Sequence, residues 1–167
     1  MPPLRIEIAK RTDGGAVLRC TRADDTTTWQ RQAGPQGAFF PLHDLTHYSV
    51  ETVLGVREGF FGLVAQGWEI DDTTGKGKRG PLPPDAVVVE HIVGFLDVER
   101  ATGGEWSAED FAAQLANAGV TLSPAMRRVL TDDTLRRIRE LRRDLFARWM
   151  TTHPGESLRL AFGEPAQ

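Results

Sequence analysis

The segment AFFPLHDLTHYSVETVLG, residues 38–55, places two histidines and two acids in an otherwise apolar stretch. On a helix with 3.6 residues per turn, His43, Asp44, His47 and Glu51 fall within one quarter of the circumference. Histidines four residues apart on a helix can bind one divalent ion together, and a carboxylate one turn further along can add a ligand. The spacing therefore predicts a metal site with His43, His47 and Glu51 as ligands.

The same residues also fit a purely structural role. Imidazole and carboxylate groups are costly to bury unless they are paired, hydrogen-bonded or bound to a cation. His43 and His47 would then be core histidines whose partners are Asp44, Glu51 and main-chain carbonyl oxygens. Because the start of a helix disfavours a positive charge, His43 is expected to be neutral, which is the form that binds metal.

The motif HDLTH resembles the HDxxH signature of the zinc-binding protein family of ubiquinone biosynthesis. The resemblance covers this motif alone, and it implies a zinc site that contains His43, Asp44, His47 and a downstream glutamate. In that family the glutamate follows the second histidine by twelve residues. Gly59 occupies that position here, and Glu58 lies one residue before it. The resemblance thus adds Glu58 as an alternative acidic ligand.

Two further residues are candidates for the site. HDLTH is also similar to the zincin motif HExxH, which makes Asp44 the catalytic candidate in the general-base position. Since aspartate is one methylene shorter than glutamate, the alternative is that Asp44 orients an imidazole. His91 shares a helical face with Val87 and Phe95, and it is a candidate ligand because catalytic zinc sites use three protein ligands. Its neighbour Glu90 is expected to point elsewhere.

The periodicity of apolar residues predicts an α+β fold. LRIEIAK and AVLRCTR alternate around the turn TDGG, so residues 1–33 are predicted to form an antiparallel β meander. Residues 41–150 show helical patterns and predict four to five helices packed on one face of the sheet. ESLRLAF alternates again, which predicts a final strand over residues 156–163 that joins the meander. We expect residues 1–167 to form a single domain.

The composition is that of a soluble globular protein. The formal charge is −3, so there is no overall attraction to nucleic acid or anionic lipid. The only cysteine, Cys20, cannot form an internal disulfide, and its alternating neighbours indicate a strand residue rather than a reactive thiol. No apolar stretch is long enough to span a bilayer, and the N-terminal residues lack a signal-peptide core. We therefore expect a cytoplasmic protein.

Two basic segments offer other interpretations. The glycine- and lysine-rich segment TTGKGKRG, residues 73–80, lacks the GxxxxGK[ST] spacing of a phosphate-binding loop, so we favour a mobile surface loop, with an active-site lid as the alternative. The arginine-rich residues 123–150 carry an apolar stripe that includes Leu135, Ile138 and Leu141, with arginines over the remaining surface. This pattern favours a solvated helix face over a nucleic-acid interface.

The leading hypothesis is a small metal-binding protein that holds zinc or another first-row divalent ion. If it is an enzyme, the ion would act on a small-molecule substrate by activating water or polarising a carbonyl. The alternative is a non-enzymatic binding or scaffold domain, in which the histidine and acid cluster is structural and the arginine-rich helix meets an acidic partner.

Overall fold

Four strands form one antiparallel sheet with the order β3-β2-β1-β4 in the computed structural model, which describes residues 2–163. Ile6 of the central strand lies opposite Cys20 on one side and Leu160 on the other. The predicted meander and its C-terminal partner strand are confirmed. The strands are β1 (Leu4–Lys10), β2 (Ala16–Thr21), β3 (Thr27–Gln32) and β4 (Ser157–Phe162).

The first hairpin forms where the sequence places TDGG. Gly14 takes a left-handed conformation with φ 86°, and Asp13 Oδ1 accepts a hydrogen bond from the Gly15 amide at 3.1 Å. Cys20 is fully buried in the sheet, and burial raises the pKa of its thiol above the ordinary value. A thiol that stays protonated is a poor nucleophile, so Cys20 packs as a small apolar residue.

Six helices lie between β3 and β4 in the part of the chain that the structure describes. The arginine-rich segment contains two of them, because Thr131 starts the second by accepting a hydrogen bond from the Thr134 amide at 3.2 Å. None of the six is long and apolar enough to cross a membrane. They are α1 (Phe39–Leu54), α2 (Phe60–Ala65), α3 (Pro84–Thr102), α4 (Ala108–Asn117), α5 (Pro124–Val129) and α6 (Asp132–Thr151).

Helix ends follow the capping residues. Gly55 ends α1 with φ 67°, and Gly103 ends α3 with φ 75°. Ser107 starts α4 by accepting a hydrogen bond from the Asp110 amide. The predicted loop between α2 and α3 contains a short 3₁₀ turn, Ile70–Thr74.

Helix α1 lies between two hydrophobic clusters. Leu45 belongs to the cluster that α1, α2 and α6 form with the sheet, and Val50 belongs to the one among the helices. The Tyr48 hydroxyl donates to the Ala161 carbonyl of β4 at 2.8 Å. Because α1 is covered on several sides, its ionisable side chains must find partners within the protein.

Candidate metal centre

Helices α1 and α3 bring together His43, His47 and Glu90. One ligand atom from each of the three residues lies within 4.8 Å of the other two. His47 Nε2 and Glu90 Oε2 are 3.4 Å apart, so the expectation that Glu90 points elsewhere is wrong. Helix α3 packs against both α1 and α4, and its apolar surface is therefore too broad to show which face meets α1. That is why periodicity misplaced Glu90.

His43 is held by an acid that the sequence analysis missed. Its Nδ1 lies 2.9 Å from Asp97 Oδ2. Asp97 follows Glu90 by two helical turns, so both acids face α1 from the same side of α3. The side chains of His43 and Asp97 are 25% and 14% exposed, which places this pair at the rim of the site. In the sequence, the seven-residue spacing of Glu90 and Asp97 is the feature that indicates that both acids lie on one face of a helix.

His47 lies deeper, with only 2% of its surface exposed. Its Nδ1 is 3.3 Å from Glu51 Oε1, and its Nε2 faces Glu90. Burial alone lowers the pKa of His47, but Glu51 and Glu90 outweigh burial and raise that pKa to about 10. Burial raises the pKa of Glu90, yet His47 shifts the balance so that it falls below its ordinary value. Without a metal, the raised pKa favours a protonated His47, which lies between Glu51 on one side and Glu90 on the other.

Glu51, the predicted third ligand, lies on the other side of the His47 ring. Its carboxylate is buried and accepts hydrogen bonds from the amides of Phe61 at 3.3 Å and Gly62 at 3.1 Å. A Cβ atom at Gly59 would come 2.4 Å from Glu51 Cδ, so a side chain there would displace the carboxylate. The structure thus places Glu51 as a partner of His47 Nδ1, outside the group of three.

The other predicted site residues are not part of the three-residue group. Asp44 is buried and accepts a hydrogen bond from Gln32 Nε2, and burial raises its pKa to about 6. Glu58 is exposed in the loop between α1 and α2. His91 Nδ1 lies 2.9 Å from the Val87 carbonyl oxygen one turn earlier on α3. The hydrogen bond that orients His43 involves Asp97 rather than Asp44.

The arrangement fits a divalent ion. In both histidines Nδ1 faces a carboxylate, which fixes the ring and leaves Nε2 as the ligand, as is typical of metal-binding histidines. Two tetrahedral zinc ligands are about 3.3 Å apart when each bond is about 2.0–2.1 Å. The separation of 3.4 Å between His47 Nε2 and Glu90 Oε2 matches this value.

The site also reaches solvent. The Glu90 side chain is 39% exposed, and His43 is a quarter exposed. The rings of Phe39 and Phe60 lie 5.3 and 5.4 Å from those of His43 and His47. Three protein ligands with a solvent-facing side are the arrangement of catalytic zinc sites, in which the fourth position takes water or substrate.

We expect the metal-free protein to lose stability as the pH rises from about 6.5 towards 10. The folded-state pKa of His47, about 10, lies above the value of 6.5 for an unperturbed histidine, so the folded protein retains a proton that the unfolded chain loses. The stabilisation is complete below pH 6.5 and is lost as the pH approaches 10. Urea denaturation in the presence of a chelator would measure it, with His47→Gln as the reference. Equal declines for both proteins would contradict this assignment.

The chemistry of this site points to a function. The chain matches no protein-family model, no curated protein and no solved structure. The basis for assigning a function is therefore a group of three side chains on facing helices. The group contains two oriented imidazoles and one carboxylate, and one side of it is open to solvent.

Proposed function

We propose that the protein binds one divalent metal ion, zinc or another first-row metal, through His43, His47 and Glu90. The observation that carries the proposal is the 3.4 Å separation of His47 Nε2 and Glu90 Oε2, with the opposite nitrogen of His47 held by Glu51. Imidazole and carboxylate ligands together suit zinc and its first-row neighbours better than calcium or magnesium, which prefer oxygen ligands alone.

The charge of the site supports a bound cation over a closed network of ion pairs. Acidic side chains outnumber basic ones around the site: Asp44, Glu51, Glu90 and Asp97 lie near His43 and His47, and the guanidinium of Arg142 is close enough to act on Asp97. Asp97 Oδ1 is buried and has no hydrogen-bond partner among the described residues. A divalent cation would offset this excess of negative charge, whereas burying it without compensation is costly.

We assign the ion a catalytic role because the site is open on one side. An ion with three protein ligands can lower the pKa of a bound water or polarise a carbonyl of a small-molecule substrate. Asp97 and Glu51 would keep the two imidazoles in place. The likeness of HDLTH to the HDxxH zinc-binding family also supports His43 and His47 as ligands. A cytoplasmic location belongs to the same proposal, since an unpaired Cys20 fits a reducing compartment.

Competition with a chromophoric chelator tests the proposal. Protein purified without an affinity tag is expected to take up about one equivalent of Zn²⁺ per chain, as a three-ligand site requires. Glu90→Gln keeps the shape of the side chain and removes the charge, so the affinity should fall about tenfold or more. Glu109→Gln, an exposed acid on α4, is the matched control and should bind as the wild type does.

Two results would contradict the proposal. The first is a wild-type protein that takes no zinc from the chelator. The second is a Glu90→Gln protein that binds zinc as tightly as the Glu109→Gln protein. Far-UV circular dichroism of the three proteins would show that each remains folded.

A further inference from the structure

A polar cavity lies between the C-terminal end of α3 and the middle of α6. Its volume is about 260 Å³. Four guanidinium groups and two carboxylates line it, so it has an excess of positive charge in a chain whose formal charge is −3. These residues are Arg100, Arg139, Arg142 and Arg143 with Glu99 and Glu105.

One arginine and one glutamate of the cavity neutralise each other. Arg139 Nη2 lies 2.6 Å from Glu99 Oε1, and Arg139 Nε donates to Glu99 Oε2 at 3.1 Å. Arg100 and Arg143 form no ion pair with any residue from 2 to 163, and both are exposed. After the internal pair is set aside, three arginines face one exposed carboxylate, that of Glu105.

Arg142 is the partly buried member of this set. Its Nη1 donates to the Leu96 carbonyl at 2.9 Å, and its guanidinium lies 5.7 Å from the centre of the Phe146 ring. Burial lowers the pKa of Arg142 below the ordinary value, although nearby Glu99 and Asp97 act in the opposite direction. A partly desolvated guanidinium with spare N–H donors gains most from an anion that accepts them.

We infer that this cavity binds the phosphate group of a small molecule through Arg100, Arg142 and Arg143. The planar N–H donors of arginine match the oxygens of phosphate, which can accept two hydrogen bonds from one guanidinium. The cavity is smaller than the roughly 300–1,000 Å³ of pockets for drug-sized ligands. It therefore fits a phosphate with a short substituent rather than a strand of nucleic acid.

Isothermal titration calorimetry with inorganic phosphate tests this inference at constant ionic strength. Chelator-treated protein keeps the result independent of the proposed metal centre. The wild type should bind about one equivalent in a saturable manner. Arg100→Gln/Arg143→Gln should weaken the affinity about tenfold or more, because each lost charge-assisted hydrogen bond contributes on the order of a tenfold factor. Both residues are exposed, so the fold should remain intact.

Arg128→Gln/Arg137→Gln is the matched control, because it removes two exposed arginines outside the cavity. It should bind phosphate as the wild type does. The inference is overturned if the wild type shows no saturable binding, or if the two double variants bind equally. It is also overturned if a long oligonucleotide binds more tightly than phosphate and loses affinity equally in both variants, which would indicate a diffuse basic surface.

Discussion

The proposed metal site predicts that Zn²⁺ raises the thermal stability of the wild-type protein and that replacing His47 with alanine abolishes this increase. An ion at a concentration of one hundred times its dissociation constant stabilises the folded state by about 2.7 kcal/mol, which raises the melting temperature by about 5–10 °C for a chain of this size. His47 is the most buried of the three proposed ligands, and its ring contacts both Glu51 and Glu90. Differential scanning calorimetry with and without Zn²⁺ measures the increase in melting temperature separately in the wild type and in the variant.

Two further variants make this experiment specific. His91→Ala removes a histidine from α3 whose Nδ1 faces a main-chain carbonyl. The increase in melting temperature on adding Zn²⁺ should therefore be as large as in the wild type. Asp97→Asn keeps all three ligands and weakens only the partner of His43, so the affinity should fall about 10- to 100-fold. If His47→Ala keeps the full gain in melting temperature, the ion binds elsewhere.

Replacing Arg139 with leucine is expected to reduce the free energy of unfolding by about 3–5 kcal/mol. Glu99 is 3% exposed, and Arg139 contacts both of its carboxylate oxygens. Arg139 Nη2 also donates to the Trp106 carbonyl at 2.7 Å. Loss of the guanidinium would leave a buried carboxylate without its counter-charge. Equilibrium unfolding in urea measures the change.

An arginine with two exposed ion pairs on the same helix provides the control. Arg136 contacts Asp133 and Glu140 at 2.7 Å each, but its side chain is 58% exposed. Arg136→Leu should therefore reduce the free energy of unfolding far less than Arg139→Leu does, because solvent screens these exposed ion pairs. The double variant Glu99→Leu/Arg139→Leu should recover much of the loss, since it removes both buried charges. A small effect of Arg139→Leu, similar to that of Arg136→Leu, would contradict the importance of the buried pair.

Local patterns in the sequence were sufficient for the sheet and for two of the three proposed ligands, but they predicted four to five helices where residues 2–163 contain six. Alternating apolar residues predicted the sheet, and helical periodicity over residues 41–150 predicted the helical region between β3 and β4. The spacing of His43 and His47 placed both on one face of α1, because residues four apart on a helix are neighbours. Each of these inferences depends only on residues close together in the chain.

The partners of the histidines could not be predicted in the same way. Glu90 and Asp97 belong to α3, and the angle at which α3 meets α1 depends on packing between distant segments. Glu51 has the angular position of a ligand, but its carboxylate turns towards the amides of Phe61 and Gly62. Periodicity gives the direction of a side chain from its helix and does not show which neighbouring group its terminal atoms contact.

The pairing of β1 with β4 affects the order in which the protein can fold during translation. Leu4 lies opposite Phe162, so the ribosome makes almost all of the described chain before this edge of the sheet can close. The Tyr48 hydroxyl donates to the carbonyl of Ala161, so the helix with both histidines has a contact with β4, which comes last in the chain among the strands of residues 2–163. We therefore expect the nascent chain to complete this sheet edge, and α1 to gain its contact with β4, only after β4 has left the exit tunnel.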